Sequence, residues 1–213
     1  MKLDNHLNKG LKTIASKLNE DASELARKGE VDYLLFALRG LVSYTSLLFD
    51  RLVNKDNFPI EHIAMSARNL FECYLLVTYI INDSSKAKDF ISQKAFEELE
   101  INEGFLSLTT TNTSKQNIKM IQDRMDYIKL VIENNDLTPS RHWNVSHLAT
   151  QTDNKLEYDV FFKLHSKYIH PSSWIVNSPN SEYDNPVFKS IFLSQGQIYT
   201  RRIVNLINKY QDK

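Results

Sequence analysis

Glycine and proline, the residues that most often interrupt helices, are scarce in this sequence. Only five residues of each type occur among 213, and apolar residues recur at spacings of three and four far more often than at two. Residues at those spacings share one face of an α-helix, so the pattern indicates helices rather than strands. We therefore predict an all-α protein: a single helical bundle of about five to seven helices, mostly antiparallel, that occupies residues 1–213 as one domain.

Cysteine pairs, an excess of one charge sign and long hydrophobic runs are also absent. Cys73 is the only cysteine, which excludes an intramolecular disulfide and fits a reducing compartment. Basic and acidic residues number 26 each, so no overall field draws the chain to nucleic acid or to an anionic membrane. The longest near-apolar run, residues 70–81, contains Glu72 and is shorter than the ~18 to 20 residues of a membrane helix. We expect a cytoplasmic protein that has no membrane contact.

The spacing of apolar residues also locates the helices. It predicts long helices at about 7–28, 31–53, 60–81, 86–108, 114–132, 156–170 and 187–210. Gly29 and Pro171 are expected to end two of these helices, and Ser114 to cap a third. The segment 172–186 is rich in Ser, Asn and Pro and too long for a routine connection, so we expect it to be either mobile or folded over a site.

Two pairs of polar residues interrupt apolar helix faces. Arg68 and Glu72 are four residues apart in the third helix, and Ser166 and His170 are four apart at the end of the helix 156–170, so each pair shares a face. We expect the charged pair to be buried. Because its desolvation is costly unless other polar groups converge on it, we predict that all four side chains form one cluster.

This predicted cluster has two interpretations. In the structural one, the four residues form a buried hydrogen-bonded network that fixes how the helices pack. In the functional one, they form a site for phosphate or a nucleotide: Arg68 supplies a planar fork of donors, Glu72 orients it, and His170 acts as acid or base. Trp143 and Tyr168 are the candidate walls of such a cleft. The spacing alone does not discriminate between the two interpretations.

Two segments carry a resemblance to a known family. Residues 67–72 read ARNLFE, and residues 165–172 read HSKYIHPS. Together with residues 143–148, they resemble an uncharacterised bacterial family of helical domains that carry an Arg-x-x-x-Glu helix and a Ser-x-x-x-His-Pro-Ser helix end. The resemblance covers most of residues 60–174. It implies a helical domain without an assigned activity, and our first hypothesis is a regulatory or defence-associated binding module.

The build of this family is more distantly similar to the HEPN class of helical bundles. Many HEPN proteins are metal-independent ribonucleases of toxin and phage-defence systems, and they use an Arg followed, a few residues later, by a His. Arg141 and His147 fit that spacing, which makes them the alternative catalytic pair. The resemblance also implies a dimer with paired clefts. Short motifs of this kind match by chance, so binding without turnover stays the first hypothesis.

No pattern points to a metal or a cofactor. His142 and His147 are five residues apart, as are His165 and His170. That spacing is about 140° around a helix, so neither pair presents both rings to zinc from one face. No Gly-rich phosphate loop occurs either. We expect no metal and no cofactor.

The expected partners are a nucleotide or RNA, a second copy of the chain, or another protein. A small basic patch near the C-terminus, formed by Arg201, Arg202 and Lys209, is expected to face solvent rather than RNA.

Overall fold

The computed structural model describes residues 5–53 and 58–212, and within these ranges it contains helices and no strand. The predicted all-α class is therefore confirmed. The α-helices are α1 (Asn5–Lys28), α2 (Tyr33–Val53), α3 (Ile60–Asn82), α4 (Lys86–Ser107), α5 (Lys115–Asn134), α6 (Val145–Gln151), α7 (Lys155–Glu157), α8 (Lys163–Ile169), α9 (Ser173–Val176) and α10 (Pro186–Gln211). A π-helical turn, Tyr158–Phe162, joins α7 to α8, and a 3₁₀ turn, Asn180–Asp184, precedes α10.

The described chain divides into two compact units. The main unit comprises the residues up to Asn82 and from Asn144 onward, and the α4–α5 unit comprises residues 83–143. This division does not test whether the two units fold independently. The expectation of one domain over residues 1–213 therefore stays a prediction.

Side chains and turn residues fix several of the helix ends. Ser114 caps α5, since its hydroxyl accepts a hydrogen bond from the N–H of Gln116 at 3.2 Å. Asn185 caps α10 in the same way through the N–H of Val187 at 2.9 Å. Gly29 follows α1 with a φ of 72°, a conformation that costs glycine little. The ends predicted at Ser114 and Gly29 are confirmed.

Helix α3 is the centre of the main unit. It packs against α2, α6, α8 and α10. The ring of Phe71 lies 4.9 Å from the ring of Tyr199 and 6.1 Å from that of Phe162, between ring centroids. All three side chains are buried. This aromatic contact fixes the π turn and α10 against α3, and so sets the surroundings of Arg68, whose guanidinium lies over the ring of Phe162.

The α4–α5 unit is held by its own contacts. Helix α4 packs on α5, and the Nε of Arg124 donates to Oε1 of Glu98 at 2.6 Å. This hydrogen bond lowers the pKa of the Glu98 carboxyl. Trp143 stacks on Phe90 in the same unit, with ring centroids 6.0 Å apart.

No helix within residues 5–53 and 58–212 combines the length and the apolar character that crossing a membrane requires.

Gly196 marks the closest approach of α10 to its neighbours. A Cβ at this position would lie 2.5 Å from Cδ1 of Leu52 and 3.3 Å from Cδ1 of Leu70. Overpacking of this kind costs about 1 to 3 kcal/mol, and the better helix propensity of alanine returns about 1 kcal/mol. We expect Gly196→Ala to lower the free energy of unfolding by up to about 2 kcal/mol in urea titrations.

The matched control is Gly40→Ala in α2, where an added Cβ would meet no atom within 4 Å. That substitution should raise the free energy of unfolding by about 0.5 to 1 kcal/mol. Equal effects of the two substitutions would contradict the close packing assigned to α10.

Candidate functional site

Arg68 is held by three other side chains, and we call the four residues together the Arg68 cluster. Its Nε donates a hydrogen bond to Oε1 of Glu72 at 3.2 Å. Its Nη1 lies 3.1 Å from Nε2 of His170. The guanidinium carbon lies 4.3 Å from the ring centroid of Phe162, within the range of a cation–π interaction. The cluster thus joins α3, the π turn and the end of α8.

Local sequence explains how these residues reach each other. Arg68 and Glu72 are successive in the same row of α3, because residues four apart are neighbours on a helix surface. The residue before a proline avoids the α region, so Pro171 ends α8 at Ile169. His170 therefore has extended backbone, with φ −109° and ψ 153°. Since α8 packs on α3, this helix end lies beside Arg68.

The contact between Arg68 and His170 sets the hydrogen-bond role of one imidazole nitrogen. A guanidinium only donates hydrogen bonds and stays charged in proteins. Nε2 of His170 therefore accepts in this contact, at 3.1 Å from Nη1 of Arg68. A ligand that displaces this contact would meet one guanidinium edge and one imidazole nitrogen.

The charged pair keeps partial contact with solvent, which corrects the expectation that it is buried. The side chains of Arg68 and Glu72 are 23% and 25% exposed, and His170 is exposed. The reason is the position of the cluster at the end of α8, where the chain leaves the core. The desolvation cost is accordingly smaller than for a fully buried ion pair.

Ser166 is bonded to its own helix. Its hydroxyl donates to the carbonyl oxygen of Phe162 at 2.9 Å, the bond to the preceding turn that serine often makes inside helices. The structure thus brings together Arg68, Glu72 and His170, while the hydroxyl of Ser166 is committed to the π turn. By supporting Phe162, it contributes to the cluster indirectly.

The two candidate wall residues lie in different units. Tyr168 is buried in the main unit, where its ring centroid lies 5.4 Å from that of Phe188 and 5.3 Å from that of Phe192. Trp143 belongs to the α4–α5 unit and stacks on Phe90 there. Of the two, Tyr168 lines the cavity next to His170.

The alternative pair, Arg141 and His147, is also divided between the units. Arg141 lies in a segment outside any helix in the α4–α5 unit. His147 lies in the first turn of α6 in the main unit, where its N–H donates to Oδ1 of the capping Asn144 at 3.4 Å. Both side chains are exposed. A catalytic role for this pair stays a prediction.

A cavity of about 640 Å³ lies beside His170 in the main unit. The start of α3 forms one wall, the end of α8 a second, and the segment 172–186 a third. That segment folds into α9 and the 3₁₀ turn. The segment is therefore folded and forms a wall of this cavity, and its role over a site stays a prediction. The volume lies within the range of small-molecule pockets.

His165 is a polar residue of this region that the sequence reasoning considered only as a metal ligand. It is fully buried, its ring lies 4.9 Å from the ring of Phe192, and neither ring nitrogen has a hydrogen-bond partner among the described residues. Burial, assisted by the charge of Arg68, lowers its pKa to about 3 from the ordinary 6.5. His165 is therefore a neutral core residue beside the Arg68 cluster.

A second ion pair near the cluster also escaped the sequence reasoning. Nη1 of Arg202 donates to Oε1 of Glu157 at 2.7 Å, and its guanidinium carbon lies 5.3 Å from the ring centroid of Tyr74. The side chain of Arg202 is 39% exposed, and Arg201 and Lys209 are exposed, so the expectation of a solvent-facing basic patch agrees with the structure, and the pairing of Arg202 with Glu157 is the feature that was not expected. One sequence feature could have indicated the contacts of Arg202: it follows Tyr199 by three residues, and Tyr199 lies on the buried face of α10.

Within the described residues, no group of three or more His, Cys, Asp or Glu side chains is arranged to hold a metal ion.

A family model described as a family of unknown function, DUF5677, matches residues 51–183, which is more than half of the chain. This match confirms the expected membership of a family without an assigned activity. No curated protein and no solved structure matches the chain. The HEPN resemblance and a bacterial origin stay predictions.

The burial of neutral His165 makes a prediction about acid stability. Its pKa is depressed in the folded state, so between pH 6.5 and about 3 the unfolded chain binds the extra proton. Stability is complete above pH 6.5 and falls as the pH decreases, by up to about 1.4 kcal/mol per pH unit. Urea titrations from pH 7.5 to 5 should show that His165→Leu removes about 2 kcal/mol of the decline seen in the unsubstituted protein.

The control is His147→Gln, which replaces an exposed imidazole. It should leave the pH profile of stability unchanged. If His165→Leu and the unsubstituted protein lose stability in parallel below pH 6.5, the buried, unpartnered state of His165 is contradicted.

Proposed function

This chain belongs to the family of unknown function DUF5677, which supplies no activity. From the residues of the chain we propose that it is a binding module for a phosphate-bearing ligand. The observation that carries the proposal is the pairing of Arg68 with His170. A guanidinium edge and an imidazole nitrogen lie 3.1 Å apart, and the same imidazole lines a cavity of about 640 Å³.

The chemistry of the Arg68 cluster suits a phosphate. A guanidinium presents its donors in a plane that matches two phosphate oxygens. Glu72 and the ring of Phe162 hold that plane in position, so less side-chain entropy is lost when a ligand binds.

The partial exposure of the cluster favours a ligand site over a purely structural network. A network that only fixes helix packing gains most from exclusion of water, because hydrogen bonds and ion pairs are stronger at low dielectric. In this cluster about a quarter of the surface of each charged side chain stays accessible, and His170 lies at the wall of a cavity. The binding proposal requires no turnover.

The binding proposal predicts saturable binding of phosphorylated small molecules. Isothermal titration with a mixture of nucleoside 5′-monophosphates, and separately with the unphosphorylated nucleosides, should show binding of the phosphorylated compounds alone. Arg68→Gln should weaken that binding at least about tenfold, since a charge-assisted hydrogen bond contributes about 1.5 to 3 kcal/mol.

Arg124→Gln is the matched control. Arg124 also pairs with a glutamate and lies 5.1 Å from an aromatic ring, that of Tyr127, but it lies in the α4–α5 unit. Its replacement should leave the affinity unchanged. Binding that is absent from the unsubstituted protein, or equally reduced by both substitutions, contradicts the site.

A metal-independent ribonuclease is the second candidate, and the same Arg–His contact favours it. An imidazole nitrogen can accept the proton of a 2′-hydroxyl, while a guanidinium stabilises the charge that develops on the phosphorus oxygens. His170 and Arg68 would fill these roles, or His147 and Arg141 in the arrangement implied by the HEPN resemblance. This reaction needs Arg68 to release Nε2 of His170 first, because that nitrogen is engaged.

The ribonuclease candidate predicts cleavage of total RNA in the presence of EDTA. Loss of cleavage on His170→Ala, with retained cleavage on His147→Ala, would assign the activity to the Arg68 cluster. The opposite result would assign it to the alternative pair. If purified protein binds phosphorylated ligands without any cleavage, the binding module stands and the ribonuclease is refuted.

A further inference from the structure

We infer that the ligand of this site is a guanosine phosphate, with the base in the cavity beside α3 and the phosphate at Arg68. This inference rests on the proposed function and adds the identity of the base. It is carried by three features of the main unit: the spacing of two charged residues on one face of α3, the lack of a partner for Glu61 among the described residues, and the walls of the cavity.

Glu61 and Arg68 lie on the same side of α3. They are seven residues apart, which is about 20° short of two full turns and about 10 Å along the helix axis. That distance is comparable with the span between the pairing edge of a base and the 5′-phosphate of a mononucleotide. Met65 lies between them in the same row and is 41% exposed, so an apolar contact is available for the middle of the ligand.

Glu61 is an exposed residue that lines the cavity, and its carboxylate has no partner among the described residues. Two carboxylates line the cavity, those of Glu61 and Asp184. Asp184 forms an ion pair with Lys189. Glu61 forms neither an ion pair nor a hydrogen bond between its carboxylate and any described residue. Its oxygens are therefore open to donors from a ligand.

A lone carboxylate discriminates among the four bases. Guanine presents two adjacent donors, N1–H and the N2 amino group, which match the two oxygens of one carboxylate. Adenine and cytosine present an amino group beside a ring nitrogen that accepts, and uracil places its N–H between two carbonyl oxygens. Each of these three bases would direct an acceptor at a carboxylate oxygen, which is repulsive.

The first turn of α3 can bind the O6 atom of guanine, which lies next to N1 on the same edge of the base. The first N–H groups of an α-helix lack acceptors within the helix. The N–H groups of His62 and Ile63 donate to the carbonyl oxygen of Pro59, and among the described residues no side chain accepts from those of Ile60 and Glu61. Pro59, Ile60 and Glu61 all line the cavity. The O6 atom of guanine, next to N1, is the acceptor that such N–H groups take, whereas adenine carries an amino group there.

The walls of the cavity suit a flat aromatic ring. Phe58, Ile60, Ile175 and Val176 supply apolar surface, and Tyr183 supplies an aromatic ring that is 46% exposed. All four bases stack favourably on such side chains, because each has a flat aromatic face. The walls therefore hold a base of any kind, and Glu61 selects among them.

The test is the affinity of the full chain for GMP, AMP, CMP and UMP, measured by isothermal titration under one set of conditions. GMP should bind at least about tenfold more tightly than the other three, as expected for one good bidentate base contact. Glu61→Gln should reduce that preference to within about threefold, by weakening GMP and strengthening AMP, because an amide no longer matches two donors and can donate to the acceptor of adenine.

Two substitutions separate the possible failures. Arg68→Gln should weaken all four nucleotides equally, and Glu30→Gln, an exposed carboxylate in the connection after α1, should change none. If no nucleotide binds, the proposed function and this inference both fail. If all four bind with equal affinity and Arg68→Gln weakens them, the proposed function stands and the guanine inference fails.

A last arm distinguishes a free nucleotide from an RNA end, since both carry the same guanosine phosphate. A short oligoribonucleotide that begins with 5′-phosphoguanosine is titrated beside GMP. Tighter binding of the oligonucleotide identifies an RNA end as the source, and tighter binding of GMP identifies the free nucleotide. Binding of neither contradicts the inference.

Discussion

The site depends on the orientation of a single guanidinium. Arg68 donates to Glu72 on its own helix, contacts His170 at the end of α8 and lies over the ring of Phe162 in the π turn. Each contact uses a different property of the side chain: its hydrogen-bond donors, its charge and its flat face. Because the three partners come from separate elements, packing of α3, the π turn and α8 determines where the charge lies.

The main unit supports this arrangement through contacts that are remote in sequence. The Arg202–Glu157 pair holds α10 against the residue that precedes the π turn, and the hydroxyl of Ser166 donates into the same turn. Buried Phe71 joins the π turn to Tyr199 of α10. Fully buried His165 lies beneath the cluster as a neutral residue. The polar face of α3 therefore stays accessible to solvent, while the apolar face of α3 is held by packing.

Local patterns predicted the elements and part of the site. Helix spacing located α1 to α5 and α10, Ser114 and Gly29 marked two ends, and Pro171 marked the end of α8. Arg68, Glu72 and His170 could be grouped because helix geometry and the rule for residues before proline act over a few residues. Glu157 and Arg202 are 45 residues apart in sequence. The hydrogen bond from the hydroxyl of Ser166 to the carbonyl oxygen of Phe162 depends on the backbone path of the π turn. No local rule supplies either of these features, and none supplies the division into two units.

The most direct measurement of the central interaction is a double-mutant cycle in the free energy of unfolding, with Arg68→Ala, His170→Ala and the double variant. Residues in direct contact show coupling energies of about 0.5 to 3 kcal/mol. We expect a favourable coupling in that range, since the guanidinium donates to the imidazole only when both are present. Effects that add to within about 0.3 kcal/mol would show that the two side chains act independently. That result would contradict the contact between Arg68 and His170 on which the site depends.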